Sequence, residues 1–229
     1  MPRPASPLIR YDSVISTSLE IIDAEGLEAF SLPRLARALN VRAPSLYHHF
    51  ADKAEILRGV ARAIVVETRM PDSRTTPNWV EWFVALSLNF RHAVLQHRNA
   101  APVLLRFMPR DVLIRTYEQS ARFLTAVGVP ADQCVLLLDG LDKLTLGAAI
   151  AEAAKDPAEA GELFGTADPE SEPTLANAVA QNRMSTEEVF AETVRSFLRG
   201  AAPYVPADAP PPDGLAGRTV ADLRPSEAS

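Results

Sequence analysis

The chain has 229 residues, room for one large or two small domains. Its composition, 47% hydrophobic and 23% charged, belongs to a globular protein with a core and excludes a disordered chain. A formal net charge of −6 excludes a protein that coats nucleic acid indiscriminately, but not one that reads DNA through a local face. The single cysteine, Cys134, leaves no disulfide within the chain, as expected in a reducing cytoplasm. No apolar run approaches the roughly 20 residues of a membrane helix. Pro2, Pro4 and Pro7 are followed by no leader-like apolar segment. The expectation is a cytoplasmic protein with no membrane partner.

Residues 1–9 read as a disordered arm. A first helix is predicted over Tyr11–Glu25, with Ile15, Leu19 and Ile22 on one stripe and Gly26 as its stop. Ser31 is an N-cap for a short second helix, with Pro33 in the first turn and Leu35, Ala36 and Leu39 inward. Asn40, which tolerates the left-handed conformation, opens a tight turn through Val41 and Arg42. Pro44 starts a third helix whose Leu46 and Phe50 face inward. Asp52 and Glu55 form a capping pair for a fourth, striped by Leu57, Val60 and Ile64.

Met70–Pro77 reads as a polar hinge. Helices follow over Trp79–His97, Arg110–Val127 (stopped by Gly128 and Pro130), Asp132–Lys155 and Ser185–Leu198, the last capped by Ser185 and Glu188. Glu162–Pro173 reads as a loop, and the Pro-rich tail 203–229 as disordered. There is no strand-like alternation. The fold class is all-α: a three-helix helix-turn-helix domain over 10–56, joined by a linking helix to a helical bundle over 57–202.

The segment Ser31–Lys53 carries the chemistry. Two short helices about three residues apart form a helix-turn-helix. Its second helix must protrude so that its N-terminal residues reach base edges in the major groove. Arg42, Ala43, Pro44, Ser45, Tyr47, His48 and His49 are the outward groups. Arginine, serine and histidine can hydrogen-bond to bases or phosphates, and the carbons of Ala43 and Pro44 can touch thymine methyls. Taken alone, the histidine pair also fits a solvated helix end. No nucleophile–base pair, metal-ligand spacing or phosphate loop is present, so neither an enzyme nor a cofactor or metal site is expected.

These residues resemble the DNA-binding domain of the tetracycline-repressor family. The resemblance lies in Leu35-Ala36, Asn40-Val41, Pro44-Ser45-Leu46-Tyr47, His49-Phe50 and Lys53, with Asn40 where the family has a turn glycine. It implies phosphate contacts from Tyr47 and Lys53, a groove-facing Ser45 and His48, and an approach to DNA by Arg34. It also implies a homodimer on palindromic double-stranded operator DNA.

Phe90–Leu105 and Leu144–Gly147 resemble the ligand domain of the tetracycline-repressor subgroup. That subgroup's ligand is a tetracycline–magnesium chelate, bound through a histidine, a Thr-Arg pair and an amide. Here those positions carry Leu104, Phe107 and Met108, and Leu86. Hydrocarbon cannot coordinate a hard cation, so the expected effector is hydrophobic and metal-free. The candidate lining is a subset of Trp82, Leu86, Phe90, Val103, Leu104, Phe107, Tyr117 and Leu138, each of which taken singly reads more readily as bundle core. The apolar run Cys134–Leu138 makes Asp132–Lys155 and Ser185–Leu198 the expected dimer face. The function expected is a ligand-responsive repressor. A protein effector, or activation in place of repression, is the alternative.

Overall fold

The computed structural model describes residues 9–156, 158, 159, 161–164, 167–211, 219 and 220. The arm expected over 1–9 lies outside these residues except for Ile9, which packs against the core. The described residues are helical, and an isolated antiparallel bridge, Arg69 with Thr219, is their only β pairing. No helix among them is long and apolar enough to cross a membrane.

Local chemistry sets the N-terminal elements. Helix α1 (Tyr11–Glu25) ends at Gly26, whose φ of 87° suits a residue without a Cβ. Helix α2 (Leu32–Ala38) is capped by Ser31, whose hydroxyl accepts the Arg34 N–H. Asn40 adopts φ 52°, the left-handed conformation expected of the turn. Helix α3 (Ala43–Tyr47) follows, and then α4 (Lys53–Val66). The Asp52 carboxylate accepts the Glu55 N–H, while the Glu55 side chain reaches back to Ala51 N–H rather than to Asp52. Leu35, Leu46, Phe50, Ile56 and Val60 close this small core against α1.

The second body consists of α5 (Trp79–Gln96), a 3₁₀ turn (Arg98–Ala100), α6 (Ala101–Phe107), α7 (Arg110–Ala126), α8 (Ala131–Ala153), α9 (Pro173–Gln181) and α10 (Thr186–Ala201). Ser185 and Glu188 form the full capping box. Helices α5, α8 and α10 pack on one another. Gly140 of α8 lies directly under the Phe197 ring of α10. Buried Arg91 ties the three helices together, bridging to Glu152 of α8 and Glu187 of α10. At the centre, Trp82 stacks on Phe123 at 4.7 Å, and both meet Phe83 edge-on.

Four segments differ from the sequence expectation. Helices α6 and α9 are both short, and each begins at or beside a proline in a region without long apolar periodicity. The supposed hinge Met70–Pro77 is a structured turn. Met70 is buried, the Pro71 carbonyl accepts the Trp82 indole N–H, and the Asp72 carbonyl and carboxylate collect the amides of Arg74, Thr75 and Thr76. The tail was expected to carry no order. Among its described residues, Val205 and Val220 are buried and the Pro206 carbonyl accepts the Trp79 indole N–H. Buried tryptophans need acceptors for their N–H groups, and these two segments supply them.

The crossing of α1 and α4 is set by Gly59. A Cβ there would collide with Ile15 Cδ1 and lie 2.8 Å from the Tyr11 hydroxyl. Gly59→Val is therefore expected to cost about 1–3 kcal/mol by overpacking, read as a lower denaturation midpoint in urea at unchanged slope.

Candidate functional site

Two sites emerge, one on the surface of the small domain and one inside the bundle. On the surface, Leu46 and Phe50 anchor α3, and Phe50 stacks on Tyr11 with ring centres 5.5 Å apart. The opposite side of the helix is turned outward. Arg42, Pro44, Tyr47, His48 and His49 are exposed, and Ala43 and Ser45 half-buried. Tyr47 keeps 59% of its surface in solvent, unusual for a large ring without an external partner.

The flanking cations are not idle in the free protein. The Arg34 guanidinium grips the Glu25 carboxylate, with Nε 3.0 and 3.1 Å from its two oxygens. That hydrogen-bonded guanidinium holds Glu25 below the usual carboxylate range. The Lys53 ammonium donates to the Phe30 carbonyl at 2.6 Å and lies over the Phe30 ring. Both links join residues far apart in sequence, so neither was legible there.

Inside the bundle, α5, α7, α8 and the end of α4 enclose a cavity of about 80 Å³. Of the eight expected lining residues, it gathers Leu86, Phe90, Tyr117 and Leu138. The other four lie elsewhere. Trp82 fills the aromatic stack, Val103 and Leu104 are core, and Phe107 lies under the Arg58 guanidinium of α4. Helical spacing marks an inward face but does not say whether that face meets a neighbour or a void. The 3₁₀ turn before α6 also resets its phase.

The cavity wall is not purely hydrocarbon. Thr68 Oγ1 and Thr116 Oγ1 are buried without a hydrogen-bond partner. Thr145 donates to Ser87 at 3.1 Å, and the Tyr117 hydroxyl donates to Asp142 at 2.7 Å. Such a wall suits an apolar ligand with hydrogen-bonding groups on one edge. A magnesium chelate does not fit. Among the described lining residues Asp142 is the only carboxylate and is committed to Tyr117, none is an imidazole, and Leu104 is sealed in the core. A larger hollow, 690 Å³, is a polar surface groove along Asp23, Arg98, Asn99 and Lys155. It lacks the mostly apolar wall of the smaller one.

A junction connects the two sites. His97 stands with Nδ1 2.6 Å from Asp23 of α1 and Nε2 3.2 Å from Glu67 at the end of α4. Asn99 donates to the Asp23 carbonyl. The link to Asp23 depends on a contact across 74 residues.

Known proteins share this plan. Residues 14–60 match the family described as bacterial regulatory proteins, tetR family, and residues 71–202 match the tetracyclin repressor-like C-terminal domain. The tetracycline repressor protein class E of Escherichia coli is 28% identical over 194 residues, 84% of this chain and 90% of that protein. The fold is shared with ActR of Streptomyces coelicolor, solved with (S)-DNPA: TM-score 0.69 at 24% identity, over 87% of this chain and 100% of that one. It is shared also with BioQ, solved on its double-stranded DNA operator: TM-score 0.58 at 23% identity, over 76% and 100%. The helix-turn-helix and the helical bundle together are those of a bacterial regulatory protein. The chain belongs to the tetR family of bacterial regulatory proteins.

Tyr117 supplies a pH test of the cavity wall. Burial, reinforced by the hydrogen bond to Asp142, raises its phenol above the usual value of 10.0. The neutral phenol thus contributes stability that is complete below about pH 10 and lost as pH rises beyond it. Tyr117→Phe should lower stability by about 1.5–3 kcal/mol at neutral pH, because Asp142 loses its donor. It should also flatten the alkaline loss, both read by urea denaturation across pH.

Proposed function

We propose that a homodimer of this chain reads a palindromic operator through α3, represses transcription in the cytoplasm, and is released by a metal-free, largely apolar small molecule. It acts by binding alone, with no catalytic step. The observation that carries the reading is the outward face of α3, anchored by Leu46 and Phe50 and exposing Tyr47 and His48. Ser45 and His48 take the base edges, Arg42 and Tyr47 the phosphates, and Ala43 and Pro44 the thymine methyls. His49, at the end of the helix, serves the backbone. Arg34 and Lys53 exchange Glu25 and the Phe30 carbonyl for phosphate oxygens on binding.

The dimer face assigned is that of α8 and α10. Val135 and Leu136 keep 71% and 59% of their surface exposed, and two such helix pairs make a four-helix interface. The effector is assigned to the cavity, with Leu86, Phe90 and Leu138 on its apolar faces and Thr68 and Thr116 on its polar edge. The domains run over 10–56 and 57–202, with α4 crossing between them. A ligand that spreads α4 from α5 and α7 would move the two reading helices off the half-site spacing of about 34–36 Å. It can do so only through a higher affinity for the spread state.

A gel shift on the intergenic DNA beside its own gene tests the reading, and no binding at low salt overturns it. His48→Ala should relax base preference by about 1–3 kcal/mol at one position. Lys53→Ala should weaken all sequences alike and reduce the salt slope by about 1. Glu25→Gln, which frees Arg34, should strengthen binding and steepen that slope. Unchanged binding in all three would refute the docking.

A further inference from the structure

One residue of the cavity wall does not come from the bundle. Val220 is 3% exposed and lines the cavity beside Val65 and Thr68, at the end of α4. Its N–H donates to the Thr68 carbonyl at 3.1 Å, and its neighbour Thr219 pairs with Arg69 in the isolated antiparallel bridge. A pairing this short is marginal in water. The rest of the described wall comes from α4, α5, α7, α8 and Thr68, just beyond α4. Among the described residues, Thr219–Val220 is the part of the wall that the C-terminal segment supplies.

The cavity volume gives this contact a role. About 80 Å³ holds a few waters, whereas sites for drug-sized ligands run to roughly 300–1,000 Å³. A ligand of that size enters only if something leaves. We propose that Val220 is an intramolecular occupant of the effector cavity, and that the effector binds by displacing Thr219–Val220. The proposal rests on the effector site assigned above.

The chemistry of the corner fits. Val220 fills apolar space but offers nothing to Thr68 Oγ1, which stays without a partner. Its departure uncovers that hydroxyl and the Thr68 carbonyl together, a donor and an acceptor side by side for a ligand's polar edge. Effector affinity is then reduced by the fraction of molecules in which the segment is seated.

The test titrates 1-anilinonaphthalene-8-sulfonate, an amphipathic aromatic dye, into the full-length protein and follows its fluorescence. Val220→Asp cannot seat a carboxylate among apolar groups without loss, so it should bind the dye about fivefold or more tightly than the parent. Arg69→Cys with Thr219→Cys, in a Cys134→Ser background, locks the bridge as a disulfide. Its oxidised form should bind about fivefold or more weakly, and reduction should restore the affinity. Leu138→Trp, which fills the cavity, should abolish the gain of Val220→Asp. If the dye enters the cavity with equal affinity in oxidised and reduced clamp, the cavity assignment stands and the displacement proposal fails. If binding persists in Leu138→Trp, the dye lies elsewhere, and the cavity assignment fails with the proposal.

Discussion

Helix α4 is buried at both ends for different reasons, and the rest of the molecule is arranged around that fact. At its start, Ile56, Leu57 and Val60 complete the core beneath the reading helix. At its end, Val65 and the following Thr68 form part of the cavity wall. Its 14 residues span about 21 Å as one rigid rod. Neither end can move without repacking a core, which makes α4 the physical link between the cavity and α3. Phe107 under Arg58 and His97 between Asp23 and Glu67 brace the same rod from the side.

Charge is handled with similar economy on the DNA side. The domain presents cations to a polyanion while the chain as a whole carries −6. In the free protein two of those cations already have partners, Glu25 for Arg34 and the Phe30 carbonyl for Lys53. On the proposed docking, binding DNA is an exchange of partners, which would lower net affinity and favour a site whose bases add contacts of their own. The outward face of α3 carries short groups around a protruding Tyr47 and follows a turn made by a left-handed Asn40.

What was legible in the sequence was local. Ser31, Asp52 and Ser185 cap where their side-chain chemistry says they should, since each needs only an N–H two or three residues on. Asn40 and Gly26 turn the chain because their own backbones allow it. The long helices followed from apolar periodicity. What was not legible depends on distant partners. Leu86 and Leu104 look alike in sequence, yet one lines the cavity and the other is sealed in the core. The polar edge at Thr68 and Thr116, and the burial of Val220 in a segment read as disordered, arise only when four helices and the tail meet.

The central claim is that α3 of two subunits enters successive major grooves of one operator. A hydroxyl-radical footprint on the DNA flanking its own gene tests this most directly. The account predicts two protected patches related by a dyad, with centres about one helical turn apart, 10–10.5 base pairs, and lost when His48 and Lys53 are both replaced by alanine. Uniform weak protection without a dyad, or protection that survives the double replacement, would contradict it.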